Sequence, residues 1–240
     1  SSPYVLVLSI VFLFSIFIAT LLEYEYMSIL SKDQSVESLA LLFAQLYMAV
    51  NVFNLIVNFF LFNRLVIRFG VNNILLIQPI VYIIVFGYLS VEVGIEAGVL
   101  GFFAVQGLLV AIDYNNQNLL YNGINSKIKY EVRTFIENLG EPFGVALVGA
   151  LLYFIGDKFS ISQIAYLGAG LATVYLFFAF ILKYQYPKAM IKNLKDLVIC
   201  ILVGGVITLL GVIIIGDYYV ALQENRPVDE SVITLMKMRS

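Results

Sequence analysis

Asn51, Asn54 and Asn58 stand in the run YMAVNVFNLIVNFF, behind Tyr47, at spacings of four, three and four. In a helix that spacing places all four on one stripe. Three carboxamides in register can hydrogen-bond a polar solute, or they can tie the helix to its neighbours. The second use is worth only about 0.6 kcal/mol per bond inside a membrane, and the spacing leaves both open. Gln106, Asp113 and Gln117 form a second stripe, at spacings of seven and four. Asp113 adjoins Asn115 and Asn116, so it either lines a polar path or marks the water interface. A third group lies in YNGINSKIKYEVRTFIENLGEPFG, residues 121–144, where Arg133, Glu137 and Glu141 follow one another at intervals of four. Arg133 and Glu137 can pair, although Arg before Glu is the less favourable order.

The elements that carry these groups are apolar. The chain is 61% hydrophobic and 12% charged, with mean hydropathy +0.95, whereas a soluble domain carries roughly 25% charge. Helices hydrophobic on every face belong in lipid or a fully buried core. Apolar stretches near the ~20 residues a span needs are expected at about 4–26, 38–62, 73–93, 96–119, 132–156, 161–183 and 197–219. None shows the alternation of a membrane strand. The expected fold is therefore an all-α integral membrane protein. Residues 1–195 form a six-helix bundle, 196–222 a seventh transmembrane helix and 223–240 a polar tail.

Lys and Arg alternate between the short loops. Arg64, Arg68, Lys127, Lys129, Arg133, Lys183, Lys188, Lys192 and Lys195 follow the even-numbered spans, against Lys32 and Lys158 after the odd ones. The positive-inside rule then places the N-terminus and the even-numbered loops in the cytoplasm. A bacterial inner membrane or an organelle inner membrane is the expected location. The chain opens SSPYVLVLSIVF, with neither Met nor a basic segment ahead of the apolar run. A processed chain or a fragment of a longer protein is expected.

Several chemistries fall away. The chain has no His and a single Cys, Cys200, so Ser-His or Cys-His catalysis and His-ligated metal or haem find no residues here. Cys200, inside an apolar run, reads as a small hydrophobe. No cofactor is expected, no enzyme constellation emerges, and no basic stripe suits a nucleic-acid polymer. Glu23 and Glu25 read as interfacial at the outer end of span 1. Gln78 before Pro79 reads as the start of span 3 or a kink in it. Gly140 and Gly144 form a GxxxG pair suited to close helix packing. The apolar run after Pro142 is only about 15 residues, roughly 22 Å of helix against a core of roughly 30 Å. Glu141, and with it Glu137, should therefore sit below the membrane surface.

Six spans with a cytoplasmic start resemble one half of a major facilitator superfamily transporter. The segments NRLVIRFGVNNILLIQP, NLLYNGINSKIKYEVRTFIENLGEPFG and LKYQYPKAMIKNL resemble corresponding stretches of the nucleotide (ATP/ADP) translocase family, over about residues 3–195. The resemblance implies the C-terminal six-helix half of a two-half carrier with an alternating central cavity, and nucleotides or related anions as solutes. The partners expected are the lipid bilayer and a second six-helix half or other membrane subunits. The family has twelve spans and grips phosphates with cavity Lys and Arg. Here the nearest candidates are Arg64, Arg68 and Arg133, all at cytoplasmic ends. Asn51, Asn54, Asn58, Gln106, Asp113, Gln117, Arg133, Glu137 and Glu141 are the expected transport path. The competing expectation is a non-transporting scaffold subunit built on the same bundle. Reporter fusions after Arg68 and Lys129 are predicted to read as cytoplasmic, and fusions after Lys32 and Lys158 as external, in a topology assay.

Overall fold

The computed structural model describes residues 3–32, 34–156 and 158–223, with side chains described within residues 3–195. Six helices in it are long and apolar enough to cross a membrane: α1 (Pro3–Leu30), α2 (Val36–Phe69), α3 (Val71–Val91), α4 (Ile95–Gly123), α5 (Ser126–Ile155) and α6, whose candidate span is Ile161–Lys195. No strand occurs among the described residues. The chain divides into two compact units, Ser1–Met190 and Ile191–Ser240. In the second unit the backbone is helical through Gln223. The expected seventh span, 197–219, falls there without described side chains, and residues 224–240 of the tail lie outside the described residues.

Local chemistry sets the helix boundaries. Ser35 caps α2, its Oγ accepting from the backbone N–H of Ser38 at 3.2 Å, which satisfies one of the orphan donors of the first turn. Asn125 caps α5 in the same way through Lys127 N–H at 3.0 Å. Gly70, at φ 75°, ends α2 in a conformation that L side chains resist. Helix α5 starts at Ser126, earlier than the apolar run suggests, because the Asn125 cap comes before the charged residues. The segment from Lys183 to Lys195, expected as a loop, is helical. Its Lys, Gln, Ala and Met content favours helix.

Three stretches depart from regular α geometry into wider π-helical turns: Val57–Leu61 in α2, Phe103–Asp113 in α4 and Ile136–Gly140 in α5. The last ends two residues before Pro142. A proline inside a helix lacks the N–H for its own bond and crowds the carbonyl four residues earlier. The π turn alters the pairing at that point, and the helix continues to Ile155.

Helix α1 is the centre of the first unit and packs against α3, α4 and α5. Leu8, Ile18, Leu21, Leu22, Tyr26 and Leu30 along it are completely buried; its buried residues recur at helical spacing on one side, and Leu6 and Met27 on the other are exposed. Helix α6 joins through Phe14–Phe178 stacking at 5.7 Å and a hydrogen bond from Tyr186 Oη to the Leu119 carbonyl at 3.3 Å. Such packing, rather than escape from water, holds helices together in lipid. Of the expected GxxxG pair, only Gly144 makes a close contact: a Cβ there would meet Ile16 Cγ2 of α1 at 2.8 Å, while at Gly140 it would meet nothing but its own helix's Ile136 at 4.0 Å. At Gly168 of α6 a Cβ would fall 2.3 Å from the Phe86 ring, and Phe86 is fully buried with no room to retreat. Gly168→Ala should therefore destabilise the protein by about 1–3 kcal/mol through overpacking, whereas Gly170→Ala, facing open space, should not; thermal unfolding in detergent checks both.

Candidate functional site

A cavity of about 590 Å³ lies between α1, α4 and α5. Its wall takes Phe12, Ser15, Thr20 and Glu23 from α1, Gln106, Tyr114, Gln117, Asn118 and Tyr121 from α4, and Arg133, Glu137, Asn138 and Glu141 from α5. The residues contributed by α1 extend from Phe12 to Glu23, about 16 Å at 1.5 Å per residue, so the cavity follows the helices over much of their length. Glu141 stands halfway along the 30 residues of α5. The charged segment and the apolar run after Pro142 therefore belong to one helix. Glu141 is nonetheless exposed rather than buried in protein, because it faces the cavity.

Five of the nine expected residues therefore meet at one place: Gln106, Gln117, Arg133, Glu137 and Glu141. Arg133 Nε donates to Glu137 Oε1 at 2.7 Å, with both side chains about half exposed. The Arg133 guanidinium also lies 5.5 Å from the Tyr121 ring centroid, within cation–π range. Tyr121 in turn stacks on Phe12 at 5.4 Å.

Asp113 lies behind the wall rather than in it, only 5% exposed. Its Oδ2 accepts from Gln117 Nε2 and from Ser15 Oγ, the latter at 3.4 Å. Ser15 leads on to Gln78, whose Nε2 donates to Ser15 Oγ at 3.0 Å and to Tyr82 Oη at 3.1 Å. Tyr175 Oη donates to Gln78 Oε1 at 2.6 Å. The Gln78 amide thus spends both N–H donors and accepts with its carbonyl, which a buried carboxamide requires. This network joins α1, α3, α4 and α6, and through Ser15 and Gln117 it reaches the cavity. Asp113 is therefore not an interfacial marker. Gln78 and Pro79 stand in the first turn of the regular helix Ile77–Val91, after a break at Leu75 and Leu76, as one of the two expected readings had it; Gln78 is also the hub of the network.

The asparagine stripe lies elsewhere. Asn54 Nδ2 donates to the Gln106 backbone carbonyl at 3.2 Å, and Asn115 Nδ2 donates to Asn58 Oδ1 at 2.6 Å. Asn54 and Asn58 are thus engaged between α2 and α4, while Asn51 is exposed; none of the three is in the cavity wall. The Gln106 carbonyl belongs to the π segment of α4, where it is free to take a side-chain donor. Glu25, expected at the interface, is fully buried, and its two carboxylate oxygens find no hydrogen-bond partner among the described residues. Glu23, expected beside it, instead lines the cavity and accepts from Tyr26 Oη at 3.3 Å.

Ser15, Gln78, Tyr82 and Tyr175 were not apparent as site residues because each stands alone in an apolar run. The available signal was the cost of a lone polar group at membrane depth, which applies to Gln78 above all. Compared with known proteins, the chain matches no described family, no curated protein and no solved structure. Gln78→Leu leaves Tyr82 and Tyr175 without their partner and should cost about 1–3 kcal/mol. Asn58→Ala loses a single exposed bond and should cost about 0.6 kcal/mol or less. Reversible unfolding in detergent micelles would rank the two.

Proposed function

We propose that this chain is one six-helix half of a major-facilitator-type carrier that moves a small polar solute by alternating access. The observation that supports the reading is the cavity of about 590 Å³ walled by Gln106, Gln117, Arg133, Glu137 and Glu141. Its size falls within the roughly 300–1,000 Å³ of small-molecule sites, and it runs along three helices of spanning length. In this reading the Arg133–Glu137 pair opens when a charged group of the solute replaces one partner. Glu141 provides a second charge at mid-height. The carboxamides orient the solute, and a second half closes over it as the two rock about a fixed site. The N-terminus and even-numbered loops face the cytoplasm of a bacterial, or the interior side of an organelle, inner membrane. Nucleotides or related anions are the solutes the resemblance offers.

A second reading, a non-transporting scaffold subunit, draws support from α2 and α5. Only 17% and 11% of their most apolar windows are buried within the chain, leaving wide faces for other subunits as well as for lipid. Uptake into proteoliposomes separates the two. Arg133→Gln and Glu141→Gln should each lower uptake at least about tenfold, as loss of a charged site contact does, with folded protein undiminished. Normal transport by both variants would remove the proposed site. No uptake of any solute, with stoichiometric co-purification of other subunits, would favour the scaffold.

A further inference from the structure

We infer that the solute taken by this cavity is a small organic cation of the ammonium class rather than a phosphate-bearing anion; the inference rests on the cavity being the solute site. Among the described residues its wall carries three carboxylates, Glu23, Glu137 and Glu141, and one basic group, Arg133. Arg133 is already paired with Glu137, so Glu23 and Glu141 remain uncompensated. Tyr26 gives Glu23 a hydrogen bond but no counter-charge, and Glu141 has no ion-pair partner among the described residues. In a partly desolvated cavity these two charges attract a cation and repel an anion more strongly than they would in water. An anion would have one guanidinium available, and only by displacing Glu137.

The carboxamides give an independent indication of the same sign. Gln106 uses its Nε2 on Tyr26 Oη at 3.3 Å, and Gln117 uses its Nε2 on Asp113. The Oε1 atoms of both accept no hydrogen bond from the described residues, which leaves acceptors for the N–H groups of an ammonium ion. The wall also contains the Tyr114 ring, and aromatic faces attract organic cations within about 6 Å. A bare metal ion is less suited, since no three carboxylates or other ligands stand close enough to hold one among the described residues.

Equilibrium dialysis of the full chain in lipid nanodiscs against radiolabelled choline, tetraethylammonium and ADP tests the inference, together with vesicle uptake of the same three. Saturable binding of at least one ammonium ion is expected, with none of ADP. Glu23→Gln and Glu141→Gln should each weaken it about tenfold, and Glu141→Asp, which keeps the charge, should retain most of it. Both glutamates are surface-accessible within the cavity, and unchanged melting temperatures verify folding. Ammonium binding without uptake would uphold the cation site and reject the carrier reading. Uptake of ADP but not of the ammonium ions would uphold the carrier and overturn the cation site. Absence of ammonium binding, or binding unchanged in both glutamine variants, would also overturn it.

Discussion

A polar side chain at membrane depth has no water to fall back on, and the Gln78 amide meets that constraint in full. Its two donors and its acceptor are taken up by Ser15, Tyr82 and Tyr175. Those partners come from three helices, so satisfying one amide fixes α1, α3 and α6 against one another. Asp113 joins through Ser15 and brings in α4. The same arrangement decides where the cavity lies. Ser15 and Gln117 turn one side to the buried network and the other to the open space, so the rigid side of the cavity is held by hydrogen bonds. The opposite side is α5, which the network does not include. It meets α1 through the Gly144–Ile16 contact and carries the π turn before Pro142.

This division gives the first unit a part tied by buried hydrogen bonds and a part, α5, that packs on α1 without joining that network. Helix α5 is the least buried of the six and brings Arg133, Glu137 and Glu141 to the cavity. The Arg133–Glu137 pair is half exposed, and exposed pairs are worth at most about 1 kcal/mol. Such a pair can open at little cost. The buried network cannot, because breaking it strands polar groups without water. The exposed charges thus sit on α5, and the buried hydrogen bonds on the four helices that the network joins.

Much of the fold was legible from hydropathy alone. All six spans expected for the bundle are found, with spans 1, 3 and 4 placed to within about four residues, while α2 runs seven residues further, up to Gly70, α5 starts six residues earlier at its Asn125 cap, and α6 continues through the basic segment to Lys195. The charged residues from Ser126 onward share one helix, Ser126–Ile155, with the apolar run after Pro142, a continuity that the shortness of that run suggested. For the asparagine stripe the sequence left two uses open, because helical spacing shows which residues share a face but not what that face meets. Asn54 and Asn58 meet α4. Glu25 misled for a related reason: α1 extends to Leu30, so a residue assigned to the helix end lies a full turn inside it. The hub at Gln78 depends on contacts between residues 63 and 97 positions apart in sequence, which no local pattern reports. The π segments, which leave the Gln106 carbonyl open to Asn54, likewise have no simple signature.

The cavity predicts that water reaches the interior of the helix bundle along one side of α5. Asn138 and Leu139 are neighbours at the same depth, both exposed in the isolated chain, but Asn138 lines the polar cavity while Leu139 faces an apolar groove. Asn138→Cys and Leu139→Cys, each made with Cys200→Ser, can be treated in membranes with an impermeant maleimide. Labelling of Asn138→Cys alone is the predicted result. Equal labelling of the two, or a silent position 138, would contradict the account.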